Sequence, residues 1–121
     1  MRKQHDNYPT PLSIVRELAR RCMVPGEPVW DPCAGDGRFA DELRKVGCPV
    51  VSSDISTGKN FFDYRRTLAP TLVTNPPFRF IRLFIDHAFS VGATKMVLVC
   101  PERLWACRKG REQFERHRPS R

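Results

Sequence analysis

Pro28-Val29-Trp30-Asp31-Pro32-Cys33-Ala34-Gly35-Asp36-Gly37-Arg38-Phe39-Ala40 is the stretch on which the reading of the chain turns. Val29 and Trp30 are strand formers. Asp31 to Gly37 then bends the chain into a helix expected over residues 38–46, with Phe39, Ala40, Leu43 and Val46 as its apolar stripe and Gly47 at its C-terminal end. A second short strand follows over residues 50–54. Strand, tight turn, helix and strand joined by minimal loops predict parallel α/β architecture.

The flanking chain extends this pattern. Before it, Thr10 is placed to cap a helix and Pro11 to occupy its first turn, with Leu12, Val15, Leu18, Ala19 and Cys22 at helical spacing. After it, Phe61-Phe62 is expected to form a very short strand ending at Asp63. Thr71-Leu72-Val73-Thr74 reads as a clear strand that leaves the sheet at Asn75-Pro76-Pro77-Phe78, because two prolines cannot continue a central strand. Residues 80–90 carry the strongest helical pattern, through Ile81, Phe84, Ile85 and Ala88. The apolar run Met96–Cys100 suits a strand covered on both faces.

Gly35 to Ala40 fits G-x-G-x-x-A, and Asp54 lies 19 residues after Gly35 at the end of the next strand. Such glycines let a ligand approach the backbone, and such a carboxylate accepts bonds from ribose hydroxyls. A dinucleotide would bring a pyrophosphate, which favours a helix N-terminus without nearby acid. Asp31 and Asp36 oppose an anion there and suit a cation, so the pocket favours S-adenosyl-L-methionine, whose sulfonium is positively charged. Asp63, in a third loop, is placed to accept a bond from the adenine amino group. The plainer alternative is that Asp31 and Asp36 cap the turn and the helix.

Asn75 offers a side-chain carbonyl and Pro76 a backbone carbonyl, two acceptors for the two hydrogens of an exocyclic amine. Holding both hydrogens draws the nitrogen toward tetrahedral geometry and localises a lone pair otherwise delocalised into the ring. Pro76 and Pro77 stiffen the turn, so little reorganisation accompanies reaction. Phe78 is a stacking surface for a planar base. The plainer alternative is an ordinary strand-exit turn.

These motifs resemble those of the S-adenosylmethionine-dependent adenine-N6 DNA methyltransferases of phage and restriction type. The shared features are D-P-x-x-G-x-G at Asp31–Gly37, N-P-P-F at Asn75–Phe78, and an aromatic-x-Thr-Pro element at Tyr8–Pro11 before the glycine turn. The match covers about residues 6–100. It implies a Rossmann-like, mostly parallel α/β methyltransferase sheet, with Asn75, Pro76, Pro77 and Phe78 as the catalytic turn. It also implies that Tyr8, Thr10, Pro11, Asp31, Pro32, Ala34, Gly35, Gly37, Asp54, Ile55 and Asp63 hold the cofactor. Glutamine-N5 methyltransferases that act on protein share the N-P-P core, so DNA, RNA adenine and protein glutamine are the substrate classes, with Phe78 pointing toward nucleic acid. Cys33 is not the Pro-Cys nucleophile of cytosine-C5 methyltransferases, because it sits in the cofactor turn without the accompanying E-N-V.

The resemblance implies a seven-stranded sheet, and the last two strands find no candidates in this sequence. Residues 1–121 are therefore expected to form a single, partial methyltransferase domain lacking the last strands, with 102–121 as a basic C-terminal segment. An apolar edge at residues 96–100 would then call for a partner strand or dimer, or mark a remnant that binds cofactor or nucleic acid without turnover. Trp105, Arg108 and Arg111 are placed to approach a base or its phosphates, though Trp105 equally suits a core anchor.

Composition limits the remaining classes. The net charge of +8 is unevenly distributed. Residues 1–21 carry 5 basic and 2 acidic groups, residues 22–100 carry 9 and 8, and residues 101–121 carry 7 and 3. Basic ends around a near-neutral middle suit either solvated tails or attraction to a phosphate backbone. The five cysteines include no C-x-x-C pair, so no metal site is expected, and free thiols suit a reducing cytoplasm. No apolar run reaches the ~18–20 residues of a membrane span, and the polar N-terminus predicts no secretory leader.

Overall fold

Four parallel strands lie in the order β2-β1-β3-β4 in a computed structural model that describes residues 11–99. The strands are β1 (Val29–Asp31), β2 (Val50–Ser52), β3 (Thr71–Thr74) and β4 (Lys95–Leu98). Helix α1 (Leu12–Cys22) precedes the sheet, α2 (Arg38–Lys45) connects β1 to β2, and α3 (Ile81–Ser90) connects β3 to β4. Register is set by Val29 opposite both Val50 and Thr71, and by Leu72 opposite both Trp30 and Met96.

The period-2 alternation of side chains assigns the two faces. Val29 and Val73 point to the face covered by α1 and α2, where they pack with Val15, Ala19, Phe39 and Leu43. Trp30 and Leu72 point to the other face, where they pack with Phe61, Phe84 and Ala88. Helices thus cover both faces, as a parallel sheet requires. Strand β3 is buried at every position, whereas each residue of β4 is half-buried because β4 is an edge of the described sheet.

The two crossover helices end alike. Cys48 N–H reaches back to the Leu43 carbonyl and Gly47 N–H to Arg44, while Ala93 N–H reaches Ala88 and Gly92 N–H reaches Phe89. This paired pattern satisfies the last carbonyls and turns each helix sharply into the next strand. At the amino edge of the sheet, Glu27 Oε1 accepts from Lys95 Nζ (2.9 Å) and from Val24 N–H (2.7 Å). Glu27 Oε2 accepts from Thr71 Oγ1 (3.1 Å), and Lys95 Nζ also donates to the Cys22 carbonyl (2.5 Å). One carboxylate and one ammonium therefore clasp the α1–β1 loop, β3 and β4 together.

Two expectations are corrected. Phe61-Phe62 is not a strand: Phe61–Asp63 is a single 3-10 turn. The Asn60 side chain accepts from Phe62 N–H (3.0 Å), so that donor is withdrawn from any ladder. Phe61 instead inserts between Trp30 and Phe84, stacking on Phe84 at 4.2 Å between ring centroids. Helix α1 begins one residue later than expected, with Pro11 at its N-cap rather than in its first turn. Thr10, Tyr8 and the segment 102–121, with Trp105, Arg108 and Arg111, lie outside the described residues.

Phe84 is 2 % exposed and holds Phe61 against the sheet. Phe84→Ala is expected to cost about 3–5 kcal/mol, read as a lowered urea midpoint at unchanged slope.

Candidate functional site

The sheet order reverses direction between β1 and β3: the chain leaves β1 toward β2 on one side, and β3 and β4 lie on the other. Loops after β1 and β3 therefore part at their carboxyl ends and leave a crevice between them, the place where open α/β sheets take ligands. Both singled-out stretches lie there. Asp31 is the last residue of β1, and Asn75 directly follows β3.

Asp31 is fully buried. Its Oδ1 accepts from Thr74 Oγ1 (2.6 Å) and from Cys33 N–H (3.1 Å). Its Oδ2 is buried with no hydrogen-bond partner among the described residues. Burial pushes its pKa up to about 7, the Thr74 and Cys33 bonds oppose that rise, and the Asp54 charge adds to it. At neutral pH this carboxyl is divided between its two protonation states, and an approaching cation would draw it to the charged one.

Pro32 is buried and Ala34 is held by its N–H to the Ser53 carbonyl (3.0 Å). Gly35 (φ +55) and Gly37 (φ +85) both occupy the left-handed region, which an L side chain adopts only with strain. A Cβ at either position would meet nothing within 4 Å, so the space above the turn is open to a ligand. Asp36 realises the capping alternative. It is exposed, accepts from Arg38 N–H (3.1 Å) and pairs with the Arg38 guanidinium (2.8 Å), which holds its carboxyl below the usual range. The acidity of the pocket therefore rests on Asp31 and Asp54.

Asp54 is more engaged than its sequence position suggests. Oδ1 accepts from Gly35 N–H (3.1 Å), and Oδ2 accepts from Ser56 N–H (3.1 Å) and Ser56 Oγ (2.6 Å). The carboxylate fastens the glycine turn to the loop after β2, and a ribose would have to share these bonds. Ile55 next to it is exposed. Asp63, also exposed, ends the 3-10 turn.

Asn75 is half-buried and Pro76 fully buried. Pro77 precedes a 3-10 turn over Phe78–Phe80 that Phe80 N–H closes on the Pro77 carbonyl (3.1 Å). Phe78 is half-buried as the first residue of that turn. Pro11, at the start of α1, is exposed. Leu12 and Arg16 of α1 share a cleft with Asp36 and Arg38, so the start of this helix lies beside the glycine turn.

A cleft of about 780 Å³ opens between the carboxyl edge and α3. Pro32, Asp54, Ile55 and Pro77 line it, together with Phe61, Phe62, Phe80, Leu83 and His87. Sequence reasoning missed the second group. The signal in the sequence is the aromatic pair after Asn60 together with the residues flanking the main stripe of α3. The expected residues Pro11, Asp31, Ala34, Gly35, Gly37, Asp63, Asn75, Pro76 and Phe78 are not part of this lining. The lining is mainly apolar, with the Asp54 and Asp86 carboxylates and the Lys59 and Arg79 cations among it.

Neither protein-family models nor curated proteins give a match to the chain.

The raised Asp31 pKa has a definite sign. The folded state takes up a proton near pH 7 and the unfolded chain only near 3.8, so this group adds stability as pH falls between those values. Wild type is expected to gain on the order of 4 kcal/mol relative to Asp31→Asn between pH 8 and pH 4. Parallel urea titrations of the two proteins check this, and a pH-independent difference would contradict it.

Proposed function

We propose that the chain is an S-adenosylmethionine-dependent methyltransferase domain acting on the exocyclic N6 amine of adenine in DNA. One observation carries the reading: the Asp31–Thr74 hydrogen bond sets the D-P-x-x-G-x-G turn and the N-P-P-F turn side by side at the point where strand order reverses. The two sequence-distant turns thus lie beside each other, and Pro32 of one and Pro77 of the other line the same cleft. A four-stranded sheet in this order agrees with a Rossmann-like methyltransferase core.

The site's residues suit the cofactor on three counts. Open space above Gly35 and Gly37 admits an adenosyl ligand close to the backbone. Asp31, buried beside the glycine turn with Oδ2 unpaired among the described residues, supplies a carboxyl whose charge favours a nearby cation. The apolar lining of Ile55, Phe62, Pro77 and Phe80 suits a planar ring, with Asp54 in the same lining for ribose hydroxyls. When bound, the sulfonium supplies an electrophilic methyl group and a neutral thioether leaving group.

Asn75 and Pro76 then act on the other reactant. Their carbonyl oxygens would accept the two amine hydrogens and so leave the nitrogen lone pair localised for the methyl group that a bound donor would supply. One proton then leaves the methylated nitrogen, which is strongly acidic at that point, so no strong base is needed. Pro77 and the 3-10 turn behind it keep Asn75 from relaxing away. The face of Phe78 stacks on the adenine, which must leave the duplex to reach the turn. Excess positive charge at the two ends of the chain supplies phosphate contacts without sequence readout.

Incubation with tritiated S-adenosylmethionine and unmodified DNA, RNA or protein identifies the acceptor, with mass spectrometry naming the product base. N6-methyladenine in DNA is the expected product. Label confined to RNA or to protein glutamine would replace the substrate, and no label in any arm would remove the activity. Asn75→Ala is expected to abolish transfer while leaving cofactor affinity within about twofold, because its amide acts on the acceptor. Asp54→Ala is expected to weaken cofactor binding by about tenfold or more by calorimetry, from the loss of charge-assisted bonds.

A further inference from the structure

Thr74 is the residue on which the two motifs meet, and neither motif includes it. It precedes Asn75, is fully buried, and donates its hydroxyl to Asp31 Oδ1 at 2.6 Å across the β1–β3 crevice. We propose that Thr74 is a positioning residue that keeps Asp31 available as an anion for the cationic methyl donor, so that donor affinity depends on the Thr74 hydroxyl and on pH together. The inference rests on the function proposed above for the donor, but the behaviour of Asp31 itself is independent of it.

The surroundings of Asp31 leave the hydroxyl a decisive part. From its own turn, Cys33 contributes a backbone N–H at 3.1 Å. From the end of β2, the Asp54 carboxylate acts as a like charge and favours the protonated form. From β3 comes the Thr74 hydroxyl, the side-chain donor to Asp31 among the described residues. Oδ2 has no partner among the described residues, so a proton on Asp31 resides there, and a positive group held beside the turn would disfavour that proton through space. Removing the hydroxyl leaves an almost isosteric side chain but deprives the charged form of a charge-assisted bond.

In the variant Thr74→Val, the carboxyl titration of Asp31 is expected to move up by about one pH unit, a tenfold change in proton affinity. Infrared difference titration of the free protein reads this shift, with Asp31→Asn identifying the band. S-adenosylmethionine affinity by calorimetry should fall about tenfold at pH 6 and converge with wild type by about pH 8.5, where both proteins hold Asp31 ionised. Thr74→Ser, which keeps the donor, should follow wild type in both measurements and guards against loss of folding in the valine variant. An unmoved Asp31 titration in Thr74→Val overturns the proposal, as does an affinity loss of equal factor at every pH, which would mark a purely structural role. If wild type fails to bind S-adenosylmethionine at any pH, the proposed function fails. The infrared titration still decides whether Thr74 governs Asp31.

Discussion

A fully buried carboxyl group, held by one hydroxyl and one backbone N–H, is the constraint around which this fold is arranged. Burying Asp31 at the carboxyl end of β1 is costly, since a lost solvation shell must be replaced by directed donors. Thr74 and the Cys33 backbone replace part of it. For Thr74 to reach, β1 and β3 must be neighbours in one register, which places β2 and β4 on opposite flanks. That order in turn sends α2 to one face and α3 to the other. One polar contact thus agrees with the topology, the layer arrangement and the position of both loops, the consistency across levels expected of a well-specified fold.

The regular elements were legible because their patterns are strong. Leu72 and Val73 on β3, and Ile81, Phe84, Ile85 and Ala88 on α3, sit where periodicity places them. The glycine turn was legible from its spacing, and Gly35 and Gly37 adopt the backbone that spacing implies. Phe61-Phe62 misled because β-propensity measures fitness for a half-buried surface, and a side-chain amide at Asn60 can redirect the backbone without altering that propensity. Asp36 misled for a related reason: the sequence shows charge but not pairing, and Arg38 two residues on neutralises it. Thr74 was invisible as anything but a strand former, because its significance lies in a contact 43 residues distant.

The candidate site divides along the same line. Its backbone features follow from local sequence. Its apolar lining does not, since Phe61 and the pair Phe80 and Leu83 come from two segments that only the tertiary arrangement brings together. Asp54 shows both at once. Its place at the end of β2 follows from the pattern, yet its commitment to Gly35 and Ser56 makes it a brace of the loops as well as a recognition group.

The clasp at the amino edge of the sheet bears on how this chain reaches its fold. Glu27 and Lys95 are 68 residues apart, and Lys95 belongs to the last strand of the described sheet. A chain emerging residue by residue presents Glu27 early and cannot satisfy it until β4 has been made and docked. Parallel strands joined by crossovers already postpone every pairing until a helix has intervened. The clasp adds a final coincidence to that delay, so the β1–β2 half waits with an open flank on β1 while β3 and β4 are synthesised. Assembly is thereby biased toward a late, concerted closure, in which the segment carrying Asn75 enters the sheet together with the strand that locks it.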